Sequence, residues 1–540
     1  MSGDIPVWAV GSLFRTGPGV YKVEGTPVGT FYTSHWFDGL AHTHRFDITP
    51  NGEGRVKVFY SSRRQSNEMM EHIRASGDRK FFSFGQRRDP CLGMFAKIMS
   101  SWRAMRAGPD DKSIENISVA VHTDMPGLDQ VARPIAGAKS TPPDRRGGEP
   151  PSHGGHRACQ LQNVWITTDN SGLKKIDPDT LEPIGFASQQ ALHPDLSGPT
   201  SCAHAQRDPI TGDMFNFNLQ MGRTPTYRIF RVSASTGKTD ILATIGGPGI
   251  KAGYLHSFYL SPSFVILCLP SSHLGLNGLK VVWERNIIDA IEPFDTSKKC
   301  KWFIVDRLYG NGVVGQFETN AGFFFHTVNA FEERDPQTGT TNLVCDVVEY
   351  PNLDVMFSLY YDVLLGKNDA HDGFWQDSDR AQGSLSRLAR YHIEVPSAEE
   401  KETPLSVSKT TTVPAPHSGE LPTINPLFAL KRQRYVYSLA FFGRSTLSDS
   451  LVKTDIETKE ALFWNIPPGH TPGEAIFVAR PDGEEEDDGV LLSVVLDGKN
   501  RTSYLVCIDA KTMSEMGRAD VGFAIGFGFH GAHVASGGHS

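Results

Sequence analysis

Short runs of apolar residues, or of alternating apolar and polar residues, dominate the chain. The clearest are 164–168, 264–269, 343–348, 489–496 and 504–508. They are rich in β-branched and aromatic side chains and are bounded by Gly, Pro, Asn or Asp, which is typical of β-strands. Helical periodicity is rare. The pattern therefore predicts an all-β fold.

A turn signature recurs between the predicted strands. Its copies begin with Asp or Ser at Asp177, Asp208, Ser233, Asp335, Asp455 and Asp509. The first side chain can cap the turn, Pro at the second position presets φ, and Gly near the exit accepts a positive φ. The spacing is irregular, so this is not a tight sequence repeat. Repeated hairpins of this kind nevertheless favour a β-propeller over a sandwich, because each blade reuses the same unit.

Two segments interrupt the strand pattern without separating domains. Residues 137–158 are rich in Gly, Pro and charge, and this composition predicts a disordered insertion. Residues 399–418 read as a second, ordered linker. Strand-like segments of one character continue on both sides of each. We therefore expect one domain over 1–540.

The best helical pattern lies at 90–105, where apolar residues recur at helical spacing. One interpretation is a helix that packs on the core. The other is an apolar surface that dips into a membrane to collect a lipid-like substrate.

Charge and cysteine content exclude several classes of function. The 53 Lys and Arg against 61 Asp and Glu give a net charge of -8, and the chain has no basic tract that could follow a phosphate backbone, so nucleic acid is not an expected partner. The 7 scattered cysteines predict free thiols. We expect no signal peptide, no membrane-spanning run and no obligate protein partner, and hence a cytoplasmic protein.

Four of the 19 histidines occupy places that suggest a metal centre. They are flanked by small or aromatic residues at predicted strand ends, and they are His204, His256, His326 and His530. For any one of them alone, a buried structural histidine is the ordinary interpretation. No H-E-x-x-H links them, but wide separation is what a propeller requires when different blades converge on one axis. His42 and His44 form H-x-H, for which a structural or surface role is expected.

The sequence around these histidines carries a family resemblance. The motifs are IPVWAVGSLFRTGPG (5–19), FDGLAHTHRF (37–46), AHAQRDPITGD (203–213), LHSFYLS (255–261), FHTVNAFEE (325–333), EAIFVARP (474–481) and GFHG (528–531). In this order they resemble the carotenoid cleavage oxygenase family, which includes stilbene-cleaving enzymes and the retinoid isomerase of the eye. The likeness spans nearly the whole chain and is greatest to fungal members.

The resemblance implies a seven-bladed β-propeller with a small cap of helices and loops. It implies one Fe(II) per chain on the axis, bound by the neutral imidazoles of His204, His256, His326 and His530, with O₂ as co-substrate. In the family, Glu residues hold three of the imidazoles. The matching positions are Asp169, Glu420 and Glu474. Asp169 is shorter than Glu, so its reach is an open question, and for each position a solvated or turn-capping carboxylate is the alternative.

The resemblance also bears on the substrate. Stilbene cleavers carry a Tyr and a Lys that grip a phenol; here Arg87 stands near the first position and no Lys follows His122. The expected substrate is therefore a carotenoid or apocarotenoid, with torulene as one candidate, whose C=C bond is cleaved to aldehydes. As an alternative to a free cytoplasmic protein, the chain could lie at the surface of membranes or lipid bodies. A stilbenoid-cleaving oxygenase and a metal-free binding propeller are the remaining alternatives.

Overall fold

The strands of the structure follow the predicted apolar runs. The structure is a computed structural model that describes residues 2–52, 54–79, 82–87, 115–135, 144–145, 161–336, 340–395 and 405–536. Phe264–Leu269 is a strand as predicted, and the runs at 343–348 and 489–496 lie inside longer strands. β-Branched and aromatic side chains pack well on a pleated surface, which explains why these runs form strands.

Seven antiparallel sheets form the blades of a propeller, and the first four are listed here from the axis outward. Blade 1 contains β34 (Gly531–Ala535), β2 (Gly11–Val20), β5 (Leu40–Pro50), β6 (Val56–Arg64) and β9 (Asp144–Arg145). Blade 2 contains β7 (Ala120–Thr123), β10 (Val164–Thr167), β11 (Gly172–Ile176), β12 (Pro183–Ser188) and β8 (Arg133–Pro134).

Blade 3 contains β13 (Gln206–Arg207), β14 (Met214–Gln220), β15 (Thr226–Val232) and β16 (Thr239–Ile245), and blade 4 contains β17 (Tyr259–Leu260), β18 (Phe264–Leu269), β19 (Cys300–Asp306) and β20 (Val313–Thr319).

The remaining three blades complete the ring. Blade 5 contains β21 (Phe323–Arg334), β22 (Thr341–Tyr350), β23 (Arg387–Val395) and β24 (Ser406–Pro414). Blade 6 contains β25 (Glu420–Thr423), β26 (Tyr435–Ala440), β27 (Ser450–Asp455) and β28 (Ala461–Phe463). In blade 7, β30 (Ile476–Ala479) and β29 (His470–Pro472) both pair with β31 (Gly489–Asp497), and β32 (Thr502–Asp509), β33 (Glu515–Asp520) and β1 (Ser2–Gly3) follow. β3 (Lys22–Thr26) and β4 (Gly29–Tyr32) form a separate hairpin.

Early and late parts of the sequence share two blades. β34 pairs with β2 in blade 1, with Ala535 opposite Gly11, and β1 pairs with β33 in blade 7. Apolar clusters fill the spaces between neighbouring blades; Leu13 of blade 1, for example, packs in one cluster with Leu492 and Leu505 of blade 7. Because the core lies between the blades, the axis is free for polar side chains.

The recurrent turns cap their own backbone as predicted. Asp208 Oδ1 accepts the N–H of Ile210 at 2.7 Å and that of Thr211 at 3.2 Å. Asp455 Oδ1 accepts the N–H of Glu457 at 3.0 Å in the same way. Each side chain thus replaces a backbone acceptor in its hairpin.

Two predictions about loops have different outcomes. The linker prediction at 399–418 is wrong in part, because residues 406–414 form β24, the outer strand of blade 5. Its Ser- and Thr-rich sequence resembles a loop, but an edge strand can expose such side chains to water. Within the predicted insertion 137–158 only Asp144 and Arg145 are described; the rest of that range and the whole of 90–105 lie outside the described residues.

Short helices lie in the connections between strands. They are α1 (Asn67–Ser76), α2 (Gln189–Leu192), α3 (Leu279–Glu284), α4 (Ile287–Ala290), α5 (Asp354–Ser358), α6 (Tyr361–Leu364), α7 (Ala370–Trp375) and α8 (Ser378–Gly383), with 3₁₀-helices at Val7–Ala9, Trp36–Asp38, Gly275–Gly278, Lys367–Asp369 and Pro426–Phe428. Val281, Ile287, Val355 and Trp375 of four of these helices line the cavity that reaches the axial histidines. The helices thus form the expected cap. Among the described helices, none has the length and apolar character needed to cross a bilayer.

The described cysteines are free thiols, as expected. They are Cys202, Cys268, Cys300, Cys345 and Cys507, and all five are buried.

Candidate metal centre

Four blades each bring one histidine to the propeller axis. The ligand nitrogens of His204, His256, His326 and His530 all lie within 4.8 Å of one another. Nε2 of His204 is 3.1 Å from Nε2 of His256, and Nε2 of His326 is 3.1 Å from Nε2 of His530. The structure therefore brings together all four histidines that the sequence singled out.

His326 differs from the other three in its position on the blade. His204, His256 and His530 come just before the inner strands β13, β17 and β34, as predicted. His326 was expected to end a strand, but β21 runs on from Phe323 to Arg334. The pairing of β21 with β22 is irregular on both sides of Thr327, and irregularities of this kind re-aim side chains.

Three carboxylates hold three of the imidazoles. His256 Nδ1 lies 2.7 Å from Asp169 Oδ2, His326 Nδ1 lies 2.6 Å from Glu420 Oε2, and His530 Nδ1 lies 2.7 Å from Glu474 Oε1. Asp169 thus reaches His256 although it is one carbon shorter than Glu. All three carboxylates singled out in the sequence contact a candidate ligand.

Further side chains support the segment that carries His204. Both His122 Nε2 and Thr167 Oγ1 donate to the carbonyl oxygen of Ala203 at 2.8 Å, and Asp169 Oδ1 accepts the N–H of Ala203 at 3.1 Å. No sequence pattern singles out His122, because its partner lies on a different blade.

Tyr254 is a second residue that sequence reasoning missed. Its hydroxyl donates to Asp169 Oδ2 at 2.8 Å. Burial and the charge of Asp169 raise the pKa of Tyr254 well above its usual value, so the hydroxyl keeps its proton. Its position two residues before His256 was the one available signal.

Burial keeps three of the imidazoles neutral, those of His204, His326 and His530. The pKa of His326 falls to about 4, because loss of hydration outweighs the attraction of Glu420. The pKa of His204 and of His530 lies well below 6.5, since burial and the neighbouring imidazoles both oppose a positive charge. Neutral imidazole is the form that binds metals.

The two glutamates have opposite pKa shifts. Burial raises the pKa of Glu474 to about 7, more than the Arg15 guanidinium and the Gly531 N–H lower it. Burial also acts to raise the pKa of Glu420, but contacts with His326 and Tyr350 outweigh it and the net shift is downward. Glu420 is therefore ionised near neutral pH.

The donor set fits a divalent transition metal. Where the Nδ1–H of a neutral ring donates a hydrogen bond to a carboxylate, Nε2 carries a lone pair. His326 and His530 both have Nδ1 on a carboxylate, so their Nε2 lone pairs face each other across 3.1 Å and repel one another unless a cation lies among them. Four neutral nitrogen donors are suited to Fe(II), so the residues present fit the iron that the resemblance implies.

A cavity of about 700 Å³ reaches the centre. Around the histidines it is lined by aromatic and apolar residues, among them Trp36, Phe37, Phe84, Val119, Phe325 and Phe529. The rings pack edge to face, with centroids 5.3 Å apart for Phe37 and Phe529 and 5.6 Å apart for Phe37 and Phe325. Leu279 lines the cavity and is 56% exposed, which places an opening at α3.

The cavity offers little to a phenol. Arg87 forms an ion pair with Asp362 on the surface and is not among the described residues that line the cavity. The described lining contains no lysine, and its two tyrosines, Tyr254 and Tyr350, already donate to carboxylates.

A seven-bladed propeller with four converging imidazoles, three of them buried, at an apolar cavity defines a class, the propeller-fold oxygenases with a candidate non-haem metal centre. Residues 1–535 match the family model described as retinal pigment epithelial membrane protein. The chain belongs to this family, the carotenoid cleavage oxygenases, and it is an oxygenase.

Individual relatives agree with this assignment. The chain is 55% identical over 546 residues to a carotenoid dioxygenase of Neurospora crassa, with 99% of this chain and 88% of the relative covered. It is 47% identical over 541 residues to the torulene dioxygenase of Fusarium fujikuroi, with 99% and 90% covered. A solved variant of the Synechocystis apocarotenoid oxygenase has the same fold, with a TM-score of 0.70, 20% identity, and coverage of 99% of this chain and 94% of that one.

Proposed function

We propose that the chain is an Fe(II)-dependent dioxygenase that cleaves one C=C bond of a carotenoid or apocarotenoid to two carbonyl products, with O₂ as co-substrate. One iron per chain is held by His204, His256, His326 and His530, whose orientation is set by Asp169, Glu420 and Glu474. The observation that carries the proposal is the convergence of four imidazoles, three of them buried, at an apolar cavity. The names of the two fungal relatives support the substrate class, and torulene is the first candidate.

The residues around the centre suit this chemistry. When bound, iron supplies the binding and activation of O₂ beside the alkene. The neutral imidazoles leave the positive charge of the metal uncompensated, and the three carboxylates fix the rings. The aromatic walls exclude water and hold the conjugated chain in one register, which selects the bond to be cut. No general acid or base is required for this reaction.

The size of the cavity agrees with an extended apolar ligand. Its volume of about 700 Å³ is within the range of roughly 300–1,000 Å³ that is typical of ligand sites. The aromatic rings of Phe37, Phe325 and Phe529 present apolar surface next to the histidines, which suits a polyene better than a polar substrate.

The test combines metal and product analysis. Anaerobic reconstitution with Fe(II) is followed by aerobic incubation with torulene, a β-apocarotenal and resveratrol, and products are identified by mass. We expect one iron per chain and aldehydes from a carotenoid substrate. His256→Ala loses both iron and product, whereas His470→Ala, which removes a histidine bound to Tyr504 on blade 7, retains both. Cleavage of resveratrol alone, or full iron in His256→Ala, would contradict the proposal.

We also propose that this single-domain chain works in the cytoplasm at a membrane or lipid-body surface. Apolar side chains surround the opening at α3: Leu276 is 74% exposed, and Leu279 and Trp283 are also exposed. Such a rim can enter the interface of a lipid layer, where an apolar substrate is dissolved.

Vesicle flotation tests this second proposal. Leu276→Glu reduces binding to phosphatidylcholine vesicles, since a carboxylate does not enter the apolar interface. Ile210→Glu is the matched control, because Ile210 is also exposed but lies in the turn after β13 and does not line the cavity. Equal binding of the wild type and both variants would refute the membrane contact.

A further inference from the structure

The three carboxylates reach their histidines from unequal side chains. Asp169 has one carbon fewer than Glu420 and Glu474, yet its oxygen lies 2.7 Å from Nδ1 of His256, compared with 2.6 and 2.7 Å in the two glutamate pairs. A shorter side chain has fewer rotatable bonds, so Asp169 can meet His256 in few orientations, and neighbouring donors can hold the carboxylate in the one observed.

The hydroxyl of Tyr254 is one such neighbour. It donates to Asp169 Oδ2, the same oxygen that contacts His256, at 2.8 Å. Its distance to Nδ1 of His256 is 3.4 Å, which is long for a hydrogen bond. Tyr254 therefore acts mainly on the carboxylate and through it on the imidazole.

Tyr254 is itself fixed in place. Its N–H donates to the carbonyl oxygen of Ser272 at 2.9 Å, and its carbonyl oxygen accepts the Ser272 hydroxyl at 2.6 Å. The ring is 3% exposed and packs against Phe84, with centroids 5.2 Å apart, and against Phe323. A hydroxyl on a rigid, packed ring has little freedom to lose when it holds a partner.

The other oxygen of Asp169 is also held. Asp169 Oδ1 accepts the N–H of Ala203 at 3.1 Å, and Ala203 directly precedes His204. The carboxylate thus connects the segments of two candidate ligands, and Tyr254 completes its set of donors.

We propose that Tyr254 is a positioning residue of the metal centre: its hydroxyl orients the short Asp169 carboxylate so that His256 directs Nε2 toward the metal. The inference rests on the proposed metal site. It makes the Asp169 arm a three-residue unit, comparable to the Glu420 arm, in which Tyr350 also donates to the carboxylate.

The experiment is a double-mutant cycle read by metal affinity. Fe(II) and Co(II) dissociation constants are measured by competition with a chromophoric chelator for the wild type, Tyr254→Phe, Asp169→Asn and the double variant. We expect Tyr254→Phe to weaken affinity about tenfold, as is usual when a group supporting a metal ligand is lost. In the Asp169→Asn background the same change has less than about a twofold effect, because the carboxylate on which Tyr254 acts is gone.

The matched control is Tyr437→Phe. Tyr437 is also buried and donates its hydroxyl to the carbonyl oxygen of Ala510 at 3.1 Å, away from the axis, so its variant binds metal like the wild type. The Co(II) absorption spectrum provides a second measure, since altered ligand orientation in Tyr254→Phe shifts the bands.

The possible outcomes separate the two proposals. Unchanged affinity and spectrum in Tyr254→Phe would overturn the role of Tyr254, and so would additive losses in the cycle. A wild-type protein that binds neither metal would instead refute the proposed metal centre, and the role of Tyr254 with it.

Discussion

Replacing Glu420 by Gln tests how much a charged acceptor contributes to the centre. Glu420 Oε2 lies 2.6 Å from Nδ1 of His326 and also accepts the N–H of Leu421 at 3.0 Å. The contacts with His326 and Tyr350 lower the pKa of Glu420, so it is the ionised form that holds the ring. Gln has the same shape and can still accept through its amide oxygen, and the variant therefore removes mainly the charge.

The expected magnitude follows from the two kinds of hydrogen bond. A hydrogen bond to a charged group contributes roughly 1.5–3 kcal/mol and a neutral one about 1 kcal/mol. The difference of about 0.5–2 kcal/mol corresponds to roughly 2–30-fold in an equilibrium constant. We therefore expect Glu420→Gln to weaken the binding of Fe(II) or Co(II) by about tenfold.

Chelator competition at pH 7.5 measures this change. The matched control is Glu332→Gln, which alters the same residue type on β21, the strand that carries His326. Glu332 accepts from Ser261 and Ser263, outside the centre. The reasoning is refuted if Glu420→Gln binds metal within twofold of the wild type, or if Glu332→Gln loses as much affinity.

Three further predictions concern stability. In Gly419→Ala the new Cβ would lie 1.6 Å from the carbonyl oxygen of Leu439, so the backbone must move. We expect the free energy of unfolding in urea to fall by about 2–3 kcal/mol, and an unchanged unfolding midpoint would contradict this. Arg390→Met leaves Asp346, whose side chain is fully buried, without its ion pair. We expect the free energy of unfolding to fall by about 3–5 kcal/mol in the same assay, and a decrease under about 1 kcal/mol would contradict the prediction. Burial lowers the pKa of His35 in the folded chain to about 4. As pH falls from about 6.5, the unfolded chain therefore protonates His35 before the folded chain does, and the free energy of unfolding decreases between pH 6.5 and 4. In His35→Gln this part of the pH dependence, up to about 3 kcal/mol, is absent when unfolding free energies are compared across that range.

The parts of the fold that sequence could predict are local. The turn at Asp208 caps its own backbone within three residues, so its signature is readable without tertiary information. Strand β18 has the bounds of its apolar run because alternate faces of a buried strand are both apolar. The four histidines were recognised through the motifs around them, since each one alone has no distinctive environment.

Other features depend on which blades meet, and sequence patterns do not contain that information. The contact of Tyr254 with Asp169 joins residues 85 positions apart, and that of His122 with Ala203 joins residues 81 apart. β24 was read as a linker because an exposed edge strand has the composition of a loop. The continuation of β21 past His326 was missed because an irregular pairing interrupts the alternation there.

The pairing of β34 with β2 has a consequence for the order of assembly. His530 directly precedes β34 and lies 204 positions after its neighbour His326. The imidazole of His530 therefore joins the other three only when β34 pairs with β2 and closes the ring of blades. During synthesis the earlier blades fold without it. A metal that binds only the closed ring stabilises that closure by about 2.7 kcal/mol at a hundredfold excess over its dissociation constant. With the proposed metal centre, metal supply and completion of the propeller are thus thermodynamically linked, and we expect metal-free chains to open more often where β34 pairs with β2.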